Sequence, residues 1–322
     1  SGTNMTVAQA NAIDAQNGTG VTTGTIVNTS TVASLKTLTG TQGAYTIVIA
    51  GDDASSAASD IALINAATTV AVNAGAVTTV TGTATEVAAY AAADAATTIT
   101  AATNYAATVS GTNMTVAQAN AIDAQNGNGV TTGTIVNTST AASLASLTGT
   151  EGAYTVTVSE AGGVNIAATV ITSINDATTA TVTIANAIDI TGTHTAVGAA
   201  VGAGVTANTA TALIDESSLT GAQLNTLDTA IGGTITTAGG ALAINTLNTL
   251  TVAATSAVDT FVVLQTDGTV TITGFNAVGD DKLDLQELGD GNGAVTVITT
   301  DGFTITNDEV YFVDGSGTDN SA

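Results

Sequence analysis

SGTNMTVAQANAIDAQNGTGVTTGTIVNTST, residues Ser1–Thr31, returns as SGTNMTVAQANAIDAQNGNGVTTGTIVNTST at Ser110–Thr140. Extended to Ser1–Ala50 and Ser110–Ser159, the alignment keeps 41 of 50 positions identical. Most differences are small, such as Ile47 to Val156, and Lys36 to Ala145 is the least conservative. Duplication on this scale marks a repeat architecture, in which like units stack and each completes its neighbour's hydrophobic face. A scaffold or fibre uses one surface twice more readily than an enzyme does. The expected class is therefore a structural protein without catalytic activity.

Around the duplicated block the same local order recurs: a helix-like stretch, a small turn, then a β-rich stretch. Thr6–Gly18 precedes Val21–Val27, Thr29–Gly40 precedes Ala44–Ala50, Ser55–Ala67 precedes Thr69–Val80, and Thr83–Ala93 precedes Thr97–Val109. Each helix-like piece begins near Ser or Thr, which are good N-caps, and spaces its apolar residues three or four apart. The β pieces alternate or run apolar, as at Tyr45, Ile47 and Ile49. Taking Ile26, Ile49, Val72 and Ile99 as markers gives steps of 23, 23 and 27 residues, and the 36 residues from Ile99 to Ile135 leave room for an extra strand. One strand plus one short helix or arc per coil fits this spacing, so an α/β solenoid rich in parallel β is expected over residues 1–256, with a pure β-solenoid as the alternative.

Composition narrows the function. The chain has 26 Asp+Glu against 2 Lys+Arg (Lys36 and Lys282), for a formal charge of −24. With so few cations it has almost nothing to neutralise phosphate, which argues against nucleic acid and anionic membranes as partners. Divalent cations or a screening medium suit it better. Only 9% of residues are charged, and the mean hydropathy of +0.39 argues against a disordered acidic tail. The absence of Cys rules out disulfides and thiol chemistry. The stretch His194–Ile214 is uncharged and long enough to consider as a membrane span. Its Gly, Thr, Asn and Ala content and lack of a cationic flank read instead as a packed repeat segment, so no membrane insertion is expected.

All four Phe residues (261, 275, 303, 312) and 12 of the 26 acids follow Val258. This shift sets residues 257–322 apart as a small β-rich C-terminal domain, with strand-like runs at Val270–Phe275 and Leu283–Leu288 joined by Asp/Gly turns. The elements Asp259–Thr260–Phe261, Ile272–Thr273–Gly274–Phe275 and Gly279–Asp280–Asp281–Lys282–Leu283–Asp284–Leu285 resemble the C-terminal secretion region of type I-exported bacterial proteins of the serralysin and RTX kind. The resemblance covers about the last fifth of the chain, and the GGxGxDxUx nonapeptides of that family are missing. The NAIDAQNG and NTLDTAIGG phrases upstream resemble repeat-rich cyanobacterial and other bacterial surface proteins. Together these resemblances imply a secreted protein at the cell surface or outside it. A C-terminal export signal would also account for the polar start at Ser1, which carries no signal-peptide pattern.

Candidate sites are few. His194 is the lone histidine, read as a polar turn residue rather than part of a triad, and His/Cys transition-metal clusters are excluded. Asp52–Asp53 reads as turn solvation. Calcium is the expected ion, held by oxygens of Asp280, Asp281, Asp284, Asp290 and Asn292, with Glu287 nearby and glycines bending the backbone. Thr-x-Thr triplets at Thr79–Thr81, Thr181–Thr183 and Thr234–Thr236 are irregularly separated and read as ordinary β propensity. The sequence-based function is head-to-tail self-assembly into an extracellular filament, surface layer or matrix, with further copies of itself as the main partner. The alternative is a stalk or ligand-binding segment of an adhesin, contacting cell-surface glycans or ice, with Tyr45 and Tyr154 as a possible stacking face.

Overall fold

The computed structural model describes residues 4–39, 43–111, 114–149 and 152–216, then separate segments as far as Thr306. It is an α/β fold built on parallel β-pairing. Two compact units divide it: Ser1–Thr157 with Asp176–Thr181, and Val158–Asn175 with Val182–Ala322.

The first unit runs α1 (Val7–Asn17), β1 (Thr23–Thr25), α2 (Val32–Leu35), β2 (Ala44–Thr46), β3 (Ser55–Ala57), α3 (Ala58–Ala66), β4 (Val72–Ala74), β5 (Thr79–Thr83), α4 (Ala84–Ala95), β6 (Ile99–Ala101), β7 (Ala106–Ser110), α5 (Val116–Asn126), β8 (Thr131–Thr134), α6 (Ala141–Leu144) and β9 (Ala153–Val158). Helices α1, α4 and α5 start where the sequence caps them, whereas α3 follows Ala57 without a side-chain cap, Ser55 lying in β3. Thr6 accepts the Gln9 N–H while the Gln9 side chain reaches back to the Thr6 N–H, and Thr115–Gln118 and Thr83–Glu86 repeat this reciprocal box. Each box satisfies two backbone donors that a helix start leaves open, and a cap of this kind contributes about 1 kcal/mol. Gly18 and Gly127 end α1 and α5 at φ 62° and 58°, a conformation that favours glycine. Helices contribute Ala10, Leu35, Ile61, Ile64, Val87 and Ala119 to the core, and strands contribute Tyr45, Val72, Val80 and Tyr154.

Strands β3, β5, β7, β8 and β9 form a parallel series, with Ser56 opposite Val80, Val80 opposite Ala107, and Ala107 opposite Thr131. Beside it β1 pairs β2, and β4 pairs β6 with Val72 opposite Ile99, also in parallel. Parallel neighbours need a crossover between them, and here each crossover contains a short helix.

Two expectations need correction. Thr69–Val80 and Thr97–Val109 are each two strands rather than one, because Gly75–Ala76 and Thr103–Asn104 turn the backbone; Asn73, within β4, accepts the Gly75 N–H on its Oδ1 at 3.0 Å. A helix is thus flanked by two strands, and the 36-residue gap before Ile135 contains β7 and α5. The all-β alternative fails, since capped helices occupy the Ala/Thr-rich arcs.

The second unit contains β10 (Asn165–Ala167), α7 (Ala168–Asp176), β11 (Val182–Ile184), β12 (Asp189–Gly192), α8 (His194–Ala200), β13 (Val205–Thr206), β14 (Thr211–Ile214), β15 (Ile235–Thr237), β16 (Leu242–Thr246), β17 (Leu250–Ala253), β18 (Thr260–Thr266), β19 (Thr269–Thr273), β20 (Lys282–Asp284) and β21 (Gly302–Thr306). Its parallel series β10-β12-β14-β15 reproduces β3-β5-β7-β8: Ile166 faces Ile190, Ile190 faces Ala212, and Ala212 faces Ile235. Strands β11 and β13 pair as β4 and β6 do. Farther along, β16-β18-β20 is parallel, and β19 pairs β17 in parallel and β21 antiparallel. The duplication therefore continues structurally well past the stretch of high identity. Its trace in the sequence is INAATT (Ile64–Thr69) against INDATT (Ile174–Thr179), and TGTATEV (Thr81–Val87) against TGTHTAV (Thr191–Val197).

Candidate functional site

His194 opens α8, one residue after its N-cap Thr193, so it is a helical residue rather than a turn histidine. Its Nδ1 lies 2.8 Å from Glu216 Oε1, and its backbone N–H donates to Glu216 Oε2 at 3.0 Å. Gln223 Nε2 lies 2.8 Å from the ring Nε2, and Thr195 Oγ1 lies 3.1 Å from it. An amide nitrogen can only donate, so Nε2 accepts and the ring proton sits on Nδ1, facing Glu216. Burial, the largest influence on Glu216, raises its pKa, but hydrogen bonds from the His194 ring and backbone outweigh it and hold the carboxyl below the usual value of 4.5. Beside this cluster is a cavity of about 390 Å³ lined by His194, Thr195, Gly198, Gln223, Thr226 and Leu227.

Thr195, His194 and Glu216 follow the order of a nucleophile, base and orienting acid. The chemistry stops there. The Nε2 lone pair that would take the threonine proton already receives Gln223. In the first turn of α8, the His194 N–H is committed to Glu216, the Ala196 N–H to Thr193 Oγ1 and the Val197 N–H to the Thr193 carbonyl. Those donors are spent, so they build no oxyanion site facing the cavity. The cluster is a clamp that ties the start of α8 to Glu216 and Gln223. The first unit has Ala84 at the corresponding position.

Of the expected calcium ligands, Asp284 closes β20. Asp280, Asp281, Asp290 and Asn292, with Glu287, lie outside the described residues. Among the described residues no group of three or more His, Asp or Glu is placed to hold a metal ion. Asp52 and Asp53 lie in a 3-10 turn, where Asp53 Oδ2 accepts the Val32 N–H at 2.8 Å at the start of α2. Lys36 pairs with Asp60 at 2.8 Å; the corresponding positions in the second repeat are Ala145 and Val170, so both charges change together. Tyr45 and Tyr154 are fully buried, which removes the sugar-stacking face suggested for them. The His194–Ile214 stretch is α8 followed by two short strands, and no helix among the described residues is long and apolar enough to cross a membrane.

A second concavity, of about 630 Å³, lies against α1 and β1 and is lined by Met5, Ile13, Gln16, Asn17, Val21 and Thr22. Its helix side presents Ala12 and Ile13 beside Gln16 and Asn17, and β1 borders it on the other. The sequence reading expected head-to-tail self-assembly but did not identify this groove or its lining. Comparison of the chain with protein-family models, with curated proteins and with solved structures finds no match.

Proposed function

We propose that the chain is a secreted, non-enzymatic structural protein, a solenoid of coils about two dozen residues long that assembles into an extracellular filament, surface layer or matrix. The observation that carries this reading is the repetition of one parallel register in both units, β3-β5-β7-β8 and β10-β12-β14-β15, under sequences that have largely diverged. An architecture kept while its letters change is one whose shape is the useful property. Residues 257–322 serve in this reading as the export region, with calcium held near Asp280–Asn292. Negative-stain micrographs and small-angle scattering of the purified protein, with and without calcium, test it. Slender rods that join end to end are expected; compact, monomeric particles under all conditions would refute it.

A second reading, ligand binding by an adhesin segment, gains from the strand register. Thr81, Thr108 and Thr132 occupy one outward row on β5, β7 and β8, and Thr134 and Thr155 pair in another on β8 and β9. These rows present hydroxyls at the strand spacing of about 4.8 Å. Retention on crystalline polysaccharide, or faceted ice growth in the presence of the protein, would support this reading over a purely structural one.

A further inference from the structure

The two nearly identical blocks of the first unit have different surroundings, and the difference identifies what the α1–β1 groove is built to hold. In the internal block α5 packs on α4, and β8 pairs with β7. Ile122 is fully buried there, whereas its twin Ile13 is 46% exposed in the groove. Asn126 is buried and Asn17 is exposed; Met114 is buried and Met5 is only partly covered. A Cβ on Gly129 would overlap the Tyr105 carbonyl of the coil above, whereas one on Gly20 would meet only the movable side chain of Asn17. The first block thus has every feature of a covered surface except the cover.

We propose that this groove is the seat of a coil of the α4–β7 kind, supplied by a covalently linked upstream repeat. The inference rests on the solenoid reading above and names the partner of one surface. Three observations favour that occupant over a second copy of the chain. In the internal block the covering strand β7 runs straight into the block it covers, Val109 being followed by Ser110. A strand that repeats the internal β7–β8 contact runs parallel to β1, whereas a copy of β1 related by a two-fold axis perpendicular to the sheet would arrive antiparallel. The chain's own surfaces of this kind, presented by β7 and β14, are already taken by β8 and β15.

The chain carries a built-in reporter, because its only two methionines are the twins Met5 and Met114. Peroxide oxidation of each is read by peptide mass spectrometry in the full chain and in a chain carrying a second copy of its own residues 51–109 ahead of Ser1. In the full chain Met5 should oxidise about tenfold faster than Met114, since thioether oxidation follows exposure. The extension should bring Met5 down to the Met114 rate. The same extension with its copy of Ala107→Pro should lose the protection, because Ala107 N–H is the donor that meets the Val130 carbonyl, the twin of Val21, in the internal block. Met5 remaining fast in the extended chain overturns the proposal. So does an extension whose amides stay unprotected from exchange, since the groove is what should order it. Protection of Met5 that grows with concentration in the unextended chain also overturns it, by assigning the seat to a second copy. Protection by the extension would stand even if micrographs showed no rods, so its failure is separable from failure of the filament reading.

Discussion

Thr68→Val should destabilise the first unit by about 2–3 kcal/mol although it removes one buried hydroxyl and adds a methyl. Strand β2 bonds to β1 through Ala44 and Thr46, which leaves the N–H and carbonyl of Tyr45 pointing the other way, toward residues 68–73. There the backbone contacts resume on either side, from Thr69 N–H to the Gly43 carbonyl and from Asn73 N–H to the Ile47 carbonyl. The rung between them is made by one side chain. Thr68 Oγ1 accepts the Tyr45 N–H at 2.8 Å, donates to the Tyr45 carbonyl at 2.8 Å and accepts the Val70 N–H at 3.1 Å. Valine leaves all three groups without that partner. At about 1 kcal/mol net per bond, and with about 0.8 kcal/mol returned by the added apolar group, a loss of about 2–3 kcal/mol follows. Thr68→Ser keeps the hydroxyl and should cost only about 1 kcal/mol. Urea unfolding gives the total, and amide exchange at Tyr45 and Val70 localises it. Thr178 makes the same three bonds to Tyr154 and Ala180, so Thr178→Val is an internal replicate. If valine is tolerated as well as serine at both positions, the substituted-rung argument is wrong.

Tyr105 packs edge-on against Tyr90 with ring centroids 5.2 Å apart, and its buried hydroxyl meets no partner among the described residues. Tyr105→Phe should therefore keep or raise the melting temperature, by up to about 1 kcal/mol of stability. Glu216 has a lowered pKa in the folded state, so its contribution is complete above the usual value of 4.5 and fades as pH falls through the lower folded value. Exchange rates of the first-turn amides of α8 should rise across that acidic window in the parent chain, and Glu216→Gln should flatten the dependence. Gly129→Ala should cost several times more stability than Gly20→Ala in parallel thermal melts, because only Gly129 lies under a neighbouring backbone.

The architecture was legible in the sequence where helix caps and repetition coincide. Thr6, Thr83 and Thr115 mark helix starts to within a residue, and the Val72–Ile99 spacing is a true strand pairing. The splitting of Thr69–Val80 and Thr97–Val109 was not read, because Gly75–Ala76 and Thr103–Asn104 are two-residue turns inside runs of Thr, Ala and Val. Beyond the block of high identity the repetition was legible only loosely, through phrases such as NTLDTAIGG. Its closer matches are two short stretches, Ile64–Thr69 with Ile174–Thr179 and Thr81–Val87 with Thr191–Val197, with diverged letters between them. The His194 clamp was invisible because Glu216 and Gln223 lie 22 and 29 residues away.

What joins successive strand–helix segments explains how so acidic a chain holds together with almost no countercharge. Asn11 in α1 reaches past α2, donating to the Thr37 carbonyl and accepting the Thr39 N–H, and Asn120 in α5 does the same with Ser146 and Thr148. Asn104 accepts the Asn128 N–H, and in the second unit Asn175 donates to the Ala203 carbonyl and Asn186 to those of Ser159 and Glu160. Each is a neutral amide bonded to backbone 24–28 residues away. Such bonds owe little to ionic strength, whereas repulsion among surface carboxylates is weakened by salt. Salt can therefore lower the repulsive cost without loosening these amide joints. The same division explains why Lys36 and Asp60 can give way to Ala145 and Val170 in the second repeat without loss of the register: the ion pair is half-exposed, and pairs of that kind contribute at most about 1 kcal/mol. Cohesion rests on apolar strands and amide clamps, and the charges are left free to follow the surroundings.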